Sequence, residues 1–267
     1  MGATRVAERV EAQAPREHGA WVMLALPLML GAAVGGLSGR HALLTVAALA
    51  VFLGQDLIRR RVRGRLAPSS VSWLAACGAV AVVSGAALLL LVPPAVRLGL
   101  LALGAVGGAI FLALLWALAR PGGKRFDRSV VGELLAVPAL TLTGPAAVMV
   151  GGGTATQAAT VWALSVAWFG GGMLFVKMLL DGWKRGRRGL SVHRSPLAVA
   201  TLGWHAATLA ALAVSPMGTP WLALAYLPAV ARALWGFSRL GRPLPRLMTL
   251  GIAEAALAVV FFCAALI

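Results

Sequence analysis

Asp56-Leu57-Ile58-Arg59-Arg60-Arg61-Val62-Arg63-Gly64 and Asp181-Gly182-Trp183-Lys184-Arg185-Gly186-Arg187-Arg188-Gly189 carry one pattern. It is an aspartate, a basic pair at +3 and +4, arginine at +7 and glycine at +8. A guanidinium fork matches two oxygens of a phosphate. Asp56, Arg59, Arg60, Arg63, Lys177, Asp181, Lys184, Arg185 and Arg188 therefore form a candidate anion-binding set. Asp56 and Asp181 could also supply the carboxylates that Mg²⁺ uses beside phosphate and water. Glu17, His18, Glu133 and Glu254 are candidate acid/base or orienting groups. Each has a bland reading beside it. Cations flank Asp56 and Asp181 and can neutralise them one by one. Glu17 and His18 fit a helix N-terminus, where capping and negative charge are favourable. His205, next to Trp204, fits a packed neutral imidazole. Glu133 and Glu254 have no basic residue one turn away in their own segments, so they are harder to explain as surface pairs.

The elements that must position these groups are membrane helices. Apolar residues make up 60% of the chain and charged ones 12%, and several apolar runs reach the ~20 residues that cross a bilayer. Nine such runs are expected, near 20–37, 41–58, 71–92, 96–118, 131–150, 159–180, 197–214, 217–235 and 249–267. Residues 1–19 form an N-terminal segment without the basic-then-apolar pattern of a cleaved signal, and 20–267 form a single membrane domain. The runs are apolar all round, which excludes a soluble amphipathic core. With the N-terminus inside and the C-terminus outside, 22 of the 24 Lys and Arg fall on the cytoplasmic side. Only Arg40 and Arg97 fall elsewhere, so the positive-inside rule supports a nine-span all-α bundle with the N-terminus in and the C-terminus out.

Under this topology Glu17, His18, Asp56, Glu133, Lys177, Asp181, His205 and Glu254 all lie in the cytoplasmic half. The helical rise puts Glu254 and His205 about 8–10 Å inside. Such asymmetry predicts a polar cavity open to the cytoplasm and closed outward, unlike a channel, which is polar to both sides. Runs two and six share one direction, so the two repeated words are expected to face each other across that cavity. The net charge of +16 comes from short basic loops. These orient membrane helices and touch anionic lipid, and no nucleic-acid-binding fold surrounds them. Cys77 and Cys263 sit in apolar runs without metal spacing. No serine lies in a nucleophile elbow. The glycines of Gly104–Gly108 and Phe169–Gly172 fit close helix packing better than ligand contact.

Pro15-Arg16-Glu17-His18-Gly19-Ala20-Trp21, followed by Met23 and Pro27, resembles the opening signature of the YwiC-like family of bacterial membrane proteins, with a likeness extending along the chain. That family implies membrane residence and little chemistry. More distantly, the layout is similar to the UbiA superfamily of intramembrane prenyltransferases. That resemblance implies nine helices, with Asp56 and Asp181 at the places of its two aspartate-rich motifs. Gly132-Glu133-Leu134 and Thr143-Gly144-Pro145 resemble its fifth-helix region. It also implies magnesium on a prenyl diphosphate, held by Asp-x-x-x-Asp pairs. Here the residue four after each aspartate is arginine, Arg60 and Arg185, and Lys177 stands four before Asp181. Two expectations follow. One is a binder of an isoprenoid or lipid phosphate, or a divergent prenyltransferase, that uses arginine in place of magnesium. The other is a non-enzymatic transporter or assembly protein.

Overall fold

In lipid the backbone must satisfy its own hydrogen bonds, so apolar runs of this length fold as helices. The computed structural model describes residues 18–123, 126, 129–214, 220–244 and 246–266. Ten α-helices follow in order: α1 (His18–Gly35), α2 (Arg40–Val62), α3 (Val71–Leu91), α4 (Pro94–Ala119), α5 (Val130–Leu140), α6 (Thr143–Gly151), α7 (Ala155–Arg187), α8 (Pro196–Val214), α9 (Pro220–Ser238) and α10 (Leu247–Ala264). No strand occurs among the described residues. Helices α5 and α6 are halves of one interrupted rod, Val130–Gly151, so nine rods answer the nine expected runs. Among the described residues six rods are long and apolar enough to cross a bilayer. The chain is a multi-pass helical membrane protein.

The interruption has a local cause. Pro145 has no N–H for the Thr141 carbonyl, which takes the Gly144 N–H at 3.0 Å instead. The Pro138 carbonyl is met by the Trp162 indole N–H at 3.1 Å, and the Thr141 hydroxyl donates to Val137 O at 2.9 Å. Neighbouring side chains thus repair the opened ladder. The opposite departure occurs at α7, whose 33 residues exceed the expected 159–180 at both ends. Likewise α2 runs on to Val62, beyond the expected 58. Basic side chains favour a helix C-terminus, so both helices continue through their arginines until a glycine stops them.

Pairwise contacts give the helix directions. Trp21 meets Phe52 edge-on with ring centroids 4.8 Å apart, so α1 and α2 are antiparallel. A Cβ on Gly54 would lie 3.5 Å from Cys77, which with Val46 facing Val83 makes α2 and α3 antiparallel. Gly31 lies on the Gly144 carbonyl and Gly35 on Val148, so α1 and α6 run side by side in one direction. A Cβ on Gly35 would stand 2.7 Å from Val148 Cα; only glycine admits this approach. Further along, α7 is antiparallel to α8 and α10 and parallel to α9, through Leu174–Thr201, Phe169–Phe262 and Gly182–Leu240. These directions alternate as nine sequential spans require. The ends of α2, α4, α7 and α9 therefore share one face with the starts of α3, α5, α8 and α10.

The interior is built around α7, where Trp168 stacks on Phe261 at 4.4 Å and meets Tyr226 edge-on at 5.8 Å. By contrast, α3 and α4 are peripheral. Val82, Leu90, Leu98, Leu112 and Trp116 on them are exposed, an apolar surface suited to lipid.

Candidate functional site

Both repeated words are the last turns of their helices, and they are built alike. Arg60 Nη2 lies 2.7 Å from Asp56 Oδ2, and Arg185 Nε lies 2.8 Å from Asp181 Oδ2. In each case the +4 arginine closes on its own aspartate one turn away. The glycine at +8 then ends the helix. Gly64 has φ +66° and Gly189 has φ +67°, a left-handed conformation that glycine adopts without a Cβ penalty. Gly64 N–H donates to Arg61 O at 2.9 Å and Arg65 N–H to Arg60 O at 2.8 Å. Gly189 N–H donates to Gly186 O at 3.1 Å and Leu190 N–H to Arg185 O at 3.0 Å. This double bond pattern is the Schellman motif, formed twice. Aspartate, +4 arginine and +8 glycine are thus accounted for as a helix terminus with an internal ion pair.

The copies differ in one respect. Asp181 also accepts the Ser195 hydroxyl at 2.5 Å, and Ser195 Oγ accepts the Leu197 N–H at 3.2 Å. Ser195 is fully buried and caps the start of α8. Asp181 therefore ties the end of α7 to the beginning of α8, a role that no hydrogen bond gives to Asp56. Helices α1 and α6 pack against both α2 and α7. An open apolar groove of about 340 Å³ lies between α2 and α3 beside Leu43, Val46, Val80 and Val83. A hollow of about 10 Å³ adjoins Leu179, Trp235 and Arg239. None of the candidate residues lines either, and neither is the expected cavity between the two words.

The other candidates pair across helices. Lys177 of α7 meets Glu133 of α5 at 2.5 Å, so a residue expected to hold an anion and one expected to move protons engage each other. Glu133 lies in the first turn of α5, behind the N-cap Ser129. Glu254 of α10 is held by Arg232 of α9. Glu17 lies outside the described residues, as does the side chain of His18, whose backbone opens α1.

Arg232 belongs to a buried polar cluster in which the sequence singled out Glu254 and His205 but not Arg232 or Tyr226. Only 8% of its side chain is exposed. Its guanidinium sits 4.7 Å from the Phe175 ring and 6.0 Å from Trp168. Nearby, His205 Nδ1 and Tyr226 Oη are 2.8 Å apart, with both residues buried. The glycine run 170–172 makes room for this cluster. A Cβ on Gly171 would lie 2.8 Å from His205 Cε1, and one on Gly172 would lie 3.1 Å from Glu254 Oε2. A Cβ on Gly170 would lie 2.6 Å from Trp204. The signal for Arg232 was present, because it interrupts an apolar run with alanine on either side. Its nearness to the basic stretch Arg239, Arg242 and Arg246 conceals its depth in the sequence.

Magnesium does not fit Asp56 and Asp181. One oxygen of each is engaged by arginine, and the adjoining cation opposes a metal ion. Among the described residues no three His, Cys, Asp or Glu side chains come together as ligands. No curated protein and no solved structure matches the chain. Residues 14–148, from the signature before α1 to within α6, match the YwiC-like protein family; the stretch leaves out the second repeated word, and by this match the chain belongs to that family.

Proposed function

We propose that this is a bacterial cytoplasmic-membrane protein that binds the phosphate of an isoprenoid or other lipid at its basic end, through arginine and lysine and not through magnesium. One observation carries the reading. At both helix ends the +4 arginine forms an ion pair with the aspartate, while Arg59, Lys184 and Arg188 have no carboxylate partner among the described residues. Unneutralised cations beside a membrane attract anionic headgroups at about 1 kcal/mol each near the surface. The test is native mass spectrometry in mild detergent with farnesyl phosphate and farnesol. Wild type should retain the phosphate over the alcohol. The Arg59→Gln/Lys184→Gln/Arg188→Gln variant should lose at least about tenfold in affinity if each cation contributes as above. Equal retention by the variant contradicts the reading.

Prenyl transfer on a UbiA-like scaffold is the enzymatic form of this proposal. Turnover of prenyl diphosphate, with and without magnesium, tests it against a panel of acceptors. The second reading, a non-enzymatic transporter or assembly protein, is favoured by a specific observation. Asp56, Glu133, Asp181 and Glu254 are each joined to a cation, which leaves no described carboxylate ready to act as a base.

A further inference from the structure

Arg232 and Glu254 meet inside the bundle with three of their five side-chain nitrogen and oxygen atoms unpartnered. Arg232 Nη1 is on Glu254 Oε2, while Arg232 Nε, Arg232 Nη2 and Glu254 Oε1 are buried and have no partner. His205 Nε2, against Gly171, is a further buried atom without a partner. Leaving a buried donor or acceptor unmade is costly, and here several are collected around two adjoining glycines of α7. The two unused nitrogens of Arg232 lie along the same edge of the planar guanidinium. That edge is the fork which takes two oxygens of one acid group side by side. Glu254 Oε1 is an acceptor and asks for a proton on the guest.

Charge narrows the class further. A guest head without a proton would set its oxygens against the Glu254 carboxylate and leave Oε1 without a donor in a low-dielectric interior. An acid head that keeps one proton answers the three open positions of the Arg232–Glu254 pair. Its oxygens accept from Nε and Nη2, and its O–H donates to Glu254 Oε1. From these positions we infer that Arg232 and Glu254 form an intramembrane receptor for the protonated oxyacid head of an amphiphile. The site lies one turn or two inside the basic face. Arg232 stands six residues before the end of α9 and Glu254 seven after the start of α10, which is about 9–10 Å in each case. The two sources of such a head are a fatty carboxylic acid and a lipid monophosphate.

Dodecanoic acid, dodecyl phosphate, dodecyl sulfate and dodecanol, titrated into the full-length protein in nanodiscs and read by native mass spectrometry, test the inference. Wild type should bind the acid, the phosphate or both at least about tenfold tighter than the alcohol and the sulfate, which keeps no proton. The acid and phosphate arms identify the source. Arg232→Lys replaces the fork by a point charge and should abolish that preference. Glu254→Gln removes the opposing charge and should gain sulfate binding, a change that misfolding cannot produce. Binding no better than dodecanol, which means the site holds only water, overturns the inference. So does an Arg232→Lys variant with wild-type selectivity. If Arg59→Gln/Lys184→Gln/Arg188→Gln loses the phosphate while Arg232→Lys keeps it, the basic end holds the ligand and the interior receptor fails alone.

Discussion

At the scale of single residues, the ion pairs are not equivalent. Asp56–Arg60 is a half-exposed pair within one helix, worth about 0.3–0.5 kcal/mol. Asp56→Ala should therefore leave thermal stability in detergent almost unchanged. Asp181→Ala also strips the buried Ser195 hydroxyl of its acceptor, and should cost about 1–3 kcal/mol more. Equal melting temperatures for the two variants would refute this difference. Glu254 is the most sensitive carboxylate. Glu254→Leu leaves Arg232 buried and uncompensated, a loss of about 3–5 kcal/mol. Adding Arg232→Met to it should restore much of that stability, and a double-mutant cycle by thermal unfolding measures the rescue.

Among the elements, glycine positions decide which helices touch and where they stop. Gly35→Leu should force α1 from α6, because no side chain fits against the Val148 backbone. The expected result is a large loss of folded protein by fluorescence-detected size exclusion, whereas Gly104→Leu, facing open space on α4, should be tolerated. The length of the apolar runs and the placement of charge made the helices legible in sequence, apart from the ends of α2 and α7 and the interruption at Thr141–Leu142. That interruption depends on a competition between Pro145 and the carbonyls before it, and on a distant tryptophan. The site was less legible. The two repeated words were visible, yet the same letters serve helix termination, and their meaning lay in backbone hydrogen bonds. Arg232 finding Glu254, and Lys177 finding Glu133, are pairings between segments 22 and 44 residues apart. One sequence holds no local signal for such a pairing.

For the whole molecule, alternating helix directions place the basic clusters on one face and the 36–39 turn on the other. In a Cys77→Ser/Cys263→Ser background, Ser38→Cys should react with an impermeant maleimide added to whole spheroplasts. Arg61→Cys should react only after permeabilisation; labelling of both from one side would contradict the bundle. The central claim is that the basic face recognises lipid phosphate by cations and not by a carboxylate-held metal. Farnesyl phosphate affinity, measured by native mass spectrometry with and without EDTA in wild type and Asp56→Asn/Asp181→Asn, tests it most directly. Chelation should change nothing, and the double variant should bind as tightly as wild type or more so, because Arg60 and Arg185 are released from their aspartates. Loss of binding on chelation, or in the double variant while it remains folded, would contradict it.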